Sequence, residues 1–207
     1  RIRSAEPSMH FSLLREGLRH ARTPAERRDI ATTALTLPEP KAVEEALAAM
    51  VKDGGMENTA AWLSALPGMA PAARTNALAA LATAVPEHRD IADNAARILR
   101  QLPSDQQGDF AEAVTDAWAD KDHEAAAKWI NASTGAPWQD RAREGFARRI
   151  AQGGDPADAL IWAGSIGDAA QRTKAGQSIF DAWQQRDAEA ARAFLQSPEC
   201  PPWLAAP

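Results

Sequence analysis

The chain has 207 residues, a formal net charge of −5 at pH 7, seven tryptophans and no tyrosine. This acidic balance disfavours sequence-independent binding to nucleic acid, which requires a concentrated basic surface that displaces counterions from phosphate. The single cysteine, Cys200, excludes an intrachain disulfide, and no apolar run reaches the roughly 20 residues of a membrane-spanning helix. We therefore expect no nucleic-acid partner and no membrane insertion of this segment.

Alanine, leucine, glutamate, glutamine and arginine are plentiful and strand-forming runs are missing, so the sequence predicts an all-α fold. Turn and cap residues divide the chain into twelve short helices. The predicted ranges are 8–20, 24–36, 40–52, 56–66, 70–84, 88–102, 105–120, 122–132, 137–152, 155–165, 169–185 and 187–197. In the C-terminal half each longer helix precedes a shorter one, which is the order of tandem helical hairpins.

Residues that start and stop helices agree with these ranges. Thr23–Glu26 and Ser104–Gln107 have the pattern of capping boxes, in which side chains at the two ends of the first turn satisfy free backbone N–H groups. Pro156 stands at a predicted first helical position, where its missing N–H costs nothing. Gly68 and Gly135 lie where helices are predicted to stop.

The C-terminal half repeats itself. Residues 116–138 align without a gap with residues 181–203 at an offset of 65, and nine of the 23 aligned positions are identical. A smaller period of about 33 residues is indicated by a recurring pair, in which a bulky residue stands three positions after a small one. These pairs are Thr59 and Trp62, Ala95 and Ile98, Ala126 and Trp129, Ala159 and Trp162, and Ala191 and Phe194.

A small residue followed by a large one on the next turn lets two helices cross closely. We therefore interpret the tryptophans at repeated positions as packing residues and predict that Trp129 and Trp162 are buried. Trp138 and Trp203 follow prolines and are predicted to be partly exposed.

An aspartate lies seven residues before three of the bulky residues, at Asp122, Asp155 and Asp187. Such a side chain accepts hydrogen bonds from the first backbone N–H groups of a helix. We predict that all three are N-caps, since a catalytic carboxylate has no reason to recur at one repeat position.

The segment Gly154–Trp162, with the sequence GDPADALIW, resembles the turn and second helix of a tetratricopeptide repeat. The positions expected in that family's first helix do not line up without gaps, so HEAT-like hairpins remain an alternative. The resemblance implies an α-solenoid of antiparallel hairpins with a right-handed superhelix. It also implies a protein-interaction scaffold, and it supplies no catalytic or ligand residue.

We expect three segments: degenerate or capping N-terminal helices over 1–55, the hairpin array over 56–203, and the start of a further repeat or a tail over 204–207. Pro202 and Trp203 match the residues that open helix 137–152, so another hairpin or a cap is expected after Pro207. Because the chain begins at Arg1 instead of methionine, a preceding segment is expected too.

No motif points to an enzyme, a cofactor or a metal. The four histidines, His10, His20, His88 and His123, fall on separate predicted elements without metal-ligand spacing and are interpreted as surface residues. A glycine-rich phosphate loop and a nucleophile motif are absent from the sequence. We expect no catalytic, cofactor-binding or metal-binding residues.

One stripe of charge stands out on the helical wheel of 137–152, where Arg141, Arg148 and Arg149 gather opposite an apolar face. These arginines are the candidate partner contact, and an acidic peptide would be the natural ligand. The alternative is internal pairing with three acidic residues of the preceding helix, Asp109, Glu112 and Asp116.

The leading functional hypothesis is a non-enzymatic helical-repeat scaffold that mediates protein–protein interaction. One alternative is a structural or regulatory module of a longer chain. Another is a helical ligand-binding or enzyme domain with a site assembled from distant residues. The abundance of alanine and of arginine over lysine suggests a bacterial source, while the partner, the oligomeric state and the compartment stay open.

Overall fold

A computed structural model of the chain describes residues 71–87 and 89–205, together with residues 12–14, 16–17, 20–23, 25–26, 29–30, 33, 63 and 66. Every regular element among these residues is helical, and they include no strand, so the predicted all-α class is confirmed. The chain divides into two compact units, Arg1–Pro103 and Ser104–Pro207. The predicted boundary at residue 55, the predicted helix 40–52, Trp62 and Gly68 lie outside the described residues.

In the first unit, α1 spans Pro71–Ala84, a 3-10 turn spans Val85–Glu87, and α2 spans Ile91–Gln101. Further towards the N-terminus, the backbone N–H of Glu26 donates to Thr23 Oγ1 at 3.2 Å, and that of Thr23 donates to the Glu26 carboxylate at 3.1 Å. This reciprocal pair is the predicted capping box, which is confirmed.

The second unit contains the remaining helices in the described part of the chain. These are α3 (Ser104–Ala132), α4 (Gln139–Gly153), α5 (Pro156–Gly164), α6 (Ala169–Arg186), α7 (Ala188–Leu195) and α8 (Pro202–Ala205). From α3 to α7 each helix packs against the next one in sequence, α4 also contacts α6, and α8 contacts α6. These contacts join helices that are close in sequence.

Three aspartates begin helices as the sequence predicts. The carboxylate of Asp122 accepts from the backbone N–H of the residue three positions later at 2.9 Å, and Asp155 and Asp187 each do the same at 3.0 Å. Asp122 lies inside α3 with φ −153° and ψ 85°, so the two predicted helices 105–120 and 122–132 meet there at a kink. Asp187 has φ −149° and ψ 87° between α6 and α7. Two residues 65 positions apart thus share one conformation.

Two glycines close helices in a left-handed conformation that a side chain rarely adopts. Gly154 follows α4 with φ 109°, and Gly135 follows the end of α3 with φ 82°. The stop predicted at Gly135 is therefore confirmed.

The small member of each described pair is fully buried, as the repeat predicts; these residues are Ala95, Ala126, Ala159 and Ala191. Of the large members, Ile98, Trp129 and Phe194 are also buried. Trp162 is only half-buried, so the prediction of full burial is wrong for this residue. The centroid of its ring lies 4.4 Å from that of Phe146. The preceding residue on the same short helix, Ile161, is 52% exposed. Trp138 and Trp203 are partly exposed, as predicted.

Aromatic contacts repeat with the same offset of 65. The rings of Trp118 and Trp129 are 5.8 Å apart and tilted by 46°, and those of Trp183 and Phe194 are 5.2 Å apart and tilted by 50°. The sequence repeat is thus also a repeat of packing between side chains.

Candidate interaction surface

Helices α3 and α4 approach each other closely at Gly145. A methyl group added to this glycine would collide with the backbone carbonyl of Glu112. Nearby, the buried hydroxyl of Thr115 lies 3.0 Å from the carbonyl oxygen of Ala142 on the other helix. This close approach brings the arginines of α4 within reach of the carboxylates of α3.

The arginine cluster, defined as Arg141, Arg148 and Arg149, pairs with carboxylates on both sides of this contact. The ion pairs are Arg141 with Asp109 (3.0 Å), with Glu112 and with Glu144 (2.8 Å); Arg148 with Glu112 and with Asp116 (3.4 Å); and Arg149 with Asp116 (3.5 Å) and with Asp120 (3.3 Å). The predicted pairing with Asp109, Glu112 and Asp116 is confirmed. Glu144 and Asp120 join it as further partners that the helical wheel did not single out.

Glu112 is the centre of this network because it pairs with both Arg141 and Arg148 while only 15% of its side chain is exposed. The arginine side chains remain 39%, 43% and 30% exposed in sequence order. Burial by itself lowers the pKa of Arg141 and of Arg148, but the neighbouring carboxylates, Glu112 foremost, raise both above the ordinary value. Both guanidinium groups therefore stay charged, and binding of a partner by them stays a prediction.

Reversing two charges of the cluster, with Arg141→Glu and Arg148→Glu together, should lower the free energy of unfolding by about 1–2 kcal/mol. This loss of stability lies between the losses that are typical of exposed and of buried ion pairs. The reason is that the carboxylate of Glu112 would face two like charges in a partly buried position. Urea titration followed by circular dichroism measures the change. Lys128→Glu is the control, since its pair with Glu124 is about three-quarters exposed on both sides, and it should leave the free energy of unfolding nearly unchanged. Equal stability of the double variant and the wild type would contradict the prediction.

Asp140, in the first turn of α4, ties that helix to the turn before α6. Its carboxylate accepts from the backbone N–H groups of Gly167 and Asp168, both at 3.0 Å, and pairs with Arg143 at 2.9 Å. Burial by itself raises the pKa of Asp140. These hydrogen bonds and the guanidinium of Arg143 have the opposite and larger effect, so the pKa of this carboxyl group lies below its ordinary value. This role could not be predicted from the sequence, because the backbone N–H groups that Asp140 binds lie 27 and 28 residues away.

The Asp140→Asn variant should be about 1–2 kcal/mol less stable than the wild type at pH 7, since it weakens hydrogen bonds to a charged acceptor. A carboxyl group whose pKa is lower in the folded state stabilises the fold above its unfolded-state pKa, near 4, and this contribution is lost as the pH falls through the folded-state value. The difference between the two proteins should therefore shrink below about pH 4. Urea titrations at pH 7, 5 and 3 measure it, and a difference that is independent of pH would contradict the assignment.

Two open clefts flank α4. The α4/α6 cleft has a volume of about 240 Å³ and is lined by Arg148, Ala151, Gln152, Pro156, Ser178, Ile179, Ala182, Trp183 and Arg186. The α3/α4 cleft has a volume of about 330 Å³ and is lined by Ala119, Asp120, His123, Arg149, Ile150, Gly153, Asp155 and Asp158. Sequence reasoning did not find either cleft, because each is lined by residues from separate helices.

The described residues contain no group of three or more histidine, cysteine or acidic side chains placed to hold a metal ion. His20 and His123 are exposed, as predicted for surface histidines, while His10 and His88 lie outside the described residues. Within the same part of the chain, none of the helices has the length and apolar character needed to cross a membrane.

Comparison of the chain with protein-family models, with curated proteins and with solved structures finds no match. The function therefore has to be inferred from the residues of this chain.

Proposed function

We propose that this chain is a non-enzymatic helical-repeat scaffold that binds a segment of another protein along the surface of successive helices. The observation that carries the proposal is the recurrence at an offset of 65. The helix-starting aspartates Asp122 and Asp187 share their backbone conformation, and the pair Trp118–Trp129 corresponds to Trp183–Phe194. Repetition of a packing unit, without repetition of reactive groups, is typical of proteins that act through an extended surface.

The proposed architecture is an α-solenoid of antiparallel hairpins with a period of about 33 residues and a right-handed superhelix, similar to tetratricopeptide or HEAT-like repeats. Three fully buried alanines at one repeat position, Ala126, Ala159 and Ala191, are 33 and 32 residues apart and support this period. The packing of each helix in the second unit on its sequence neighbour supports it as well. The α3/α4 and α4/α6 clefts lie between helices of this arrangement and are open to a ligand.

The alternative of a ligand-binding or enzyme domain has one observation in its favour. The α3/α4 cleft brings His123 and Asp120 of α3 together with Asp155 and Asp158 at the start of α5. A histidine beside carboxylates could serve in proton transfer. This alternative predicts that a small molecule protects the chain against thermal unfolding and that His123→Ala abolishes the protection.

A display library of random peptides, selected on the immobilised 207-residue chain, tests the scaffold proposal. We expect enriched peptides that bind the chain in solution with micromolar dissociation constants, as is usual for a surface that makes many modest contacts. Absence of enrichment above that on an unrelated helical protein would contradict the scaffold function.

A compensated variant tests whether the arginine cluster is the contact. In this variant Arg141→Glu and Arg148→Glu are combined with Asp109→Arg and Glu112→Arg, which restores opposite charges in the pairs with positions 109 and 112 and leaves like charges beside Glu144 and Asp116. If the cluster binds the partner, the variant should regain part of the lost stability and still fail to bind the enriched peptides. If it binds every peptide as the wild type does, the cluster only clamps α4 to α3.

A further inference from the structure

The α4/α6 cleft combines apolar side chains with two cations. Ile179, Ala182 and Trp183 of α6 line it together with Arg148 of α4 and with Arg186, in the last turn of α6. The ring of Trp183 is half-buried and packs against Phe194 on α7. Its remaining surface lines the cleft, so a ligand could contact an indole whose position is already fixed by packing.

The two cations of this cleft differ in how far the chain neutralises them. Arg148 pairs with Glu112 and Asp116, yet 43% of its side chain stays exposed. Arg186 is exposed in the last turn of α6, and no carboxylate in the described part of the chain forms an ion pair with it. Among the described residues that line the cleft, none is acidic. In a chain with a net charge of −5, the charged side chains that line this cleft are thus both positive.

The neighbouring cleft has the opposite charge. Asp120, Asp155 and Asp158 line the α3/α4 cleft, and Arg149, the one arginine among its described lining residues, already pairs with Asp120. The two clefts occupy related places, since Ala151 and Gln152 line one and the residues 32 positions earlier, Ala119 and Asp120, line the other. Packing of the helices does not require such a difference, whereas discrimination between ligands does.

We propose that the α4/α6 cleft binds an extended peptide segment of a partner protein in which a large apolar side chain is flanked by carboxylates. The apolar side chain packs on Trp183 and Ile179, and a carboxylate accepts hydrogen bonds from the guanidinium of Arg186. Arginine is suited to this role because its planar fork pairs with a carboxylate through two hydrogen bonds and is less strongly hydrated than a lysine ammonium. This inference rests on the proposed scaffold function and names the chemistry of its partner.

Fluorescence polarisation with three labelled heptapeptides tests the proposal on the whole chain. The first peptide carries a central leucine between two pairs of glutamates, the second replaces the glutamates with lysines, and the third replaces the leucine with serine. We expect the first to bind and the other two to bind at least about tenfold more weakly, because each lacks one of the two contacts. Added salt should weaken the binding of the first peptide.

Variants on the two sides of α4 locate the site. Arg186→Gln removes the unpaired cation from an exposed position and should raise the dissociation constant of the glutamate–leucine peptide about fivefold to tenfold. Ala182→Leu adds bulk to the lining of the cleft and should weaken binding to a similar extent. The control is Asp158→Asn, which changes the charge of the α3/α4 cleft and should leave this affinity unchanged. Circular dichroism spectra of the three variants should match that of the wild type.

Each other outcome overturns the proposal. Equal binding of the lysine peptide, or an unchanged dissociation constant in Arg186→Gln and Ala182→Leu, places any peptide elsewhere on the surface. Failure of the wild type to bind the glutamate–leucine peptide overturns it too. The scaffold function survives these results if the random library still yields binders, and both inferences fail if it yields none.

Discussion

Replacement of Trp129 by alanine is expected to lower the free energy of unfolding by about 3–5 kcal/mol, the range for emptying a large aromatic site in a packed interior. Only 9% of this residue is exposed. Its ring lies 5.8 Å from that of Trp118 and is stacked at 4.8 Å on that of Trp138, with 17° between the planes. The variant thus loses two aromatic contacts in addition to its own buried area.

Two other substitutions calibrate this loss. Trp129→Phe should cost only about 1 kcal/mol, because Phe194 occupies the corresponding position 65 residues later and packs there against Trp183. Trp162→Ala should cost about 1–2 kcal/mol, since the indole of Trp162 is half-buried and has less area to lose. Urea unfolding followed by far-ultraviolet circular dichroism is the suitable measurement, because removal of a tryptophan alters the fluorescence. A Trp129→Ala variant with the wild-type midpoint would show that this aromatic stack is not part of the core.

The features that could be predicted from the sequence are those in which a residue interacts within one turn of its own helix. Asp122, Asp155 and Asp187 each bind the backbone N–H three residues later, so their spacing to the next bulky residue already indicated their role. The small residues that precede bulky ones were found in the same way. Their full burial follows because only a small side chain lets two helices come close.

Depth of burial for a large residue was less predictable, as Trp129 and Trp162 show. Both stand at the same repeat position. In the part of the chain that the structure describes, the ring of Trp129 contacts two other tryptophans, whereas that of Trp162 contacts one aromatic residue, Phe146. The repeat determines which side of the helix a residue occupies. The exposed fraction depends on what the adjacent helices place over it, and that information is not local.

The same distinction between contacts within one helix and contacts between helices applies to the candidate sites. The helical wheel of α4 grouped the arginine cluster correctly, and its acidic partners could be named because α3 and α4 are adjacent in sequence. The clefts and the role of Asp140 depend on contacts between helices whose residues are 27 or more positions apart. That Arg186 forms no ion pair within the described part of the chain likewise depends on how the helices are placed. Residue spacing in one helix carries no information on either.

Gly145→Ala is expected to lower the free energy of unfolding by about 2–3 kcal/mol although alanine favours helix over glycine by about 1 kcal/mol. The added Cβ would overlap the carbonyl group of Glu112, and a backbone group of a neighbouring helix cannot rotate away as the end of a flexible side chain can. The helices must therefore separate. Their separation would stretch the ion pairs that Glu112 makes with Arg141 and Arg148.

Gly153→Ala is the matched control because it makes the same substitution in the last turn of the same helix, where an added Cβ has no atom within 4 Å. It should be neutral or stabilising by about 0.5–1 kcal/mol through the lower entropy of the unfolded chain. A double-mutant cycle of Gly145→Ala with Glu112→Gln then tests the link to the ion pairs. If the close contact holds those pairs in place, the double variant should lose less stability than the sum of the single losses. Opposite signs for the two glycines establish the tight crossing of α3 and α4. A Gly145→Ala variant as stable as Gly153→Ala would show that α4 can move off α3 without cost, and the arginine cluster would then have no fixed geometry to present to a partner.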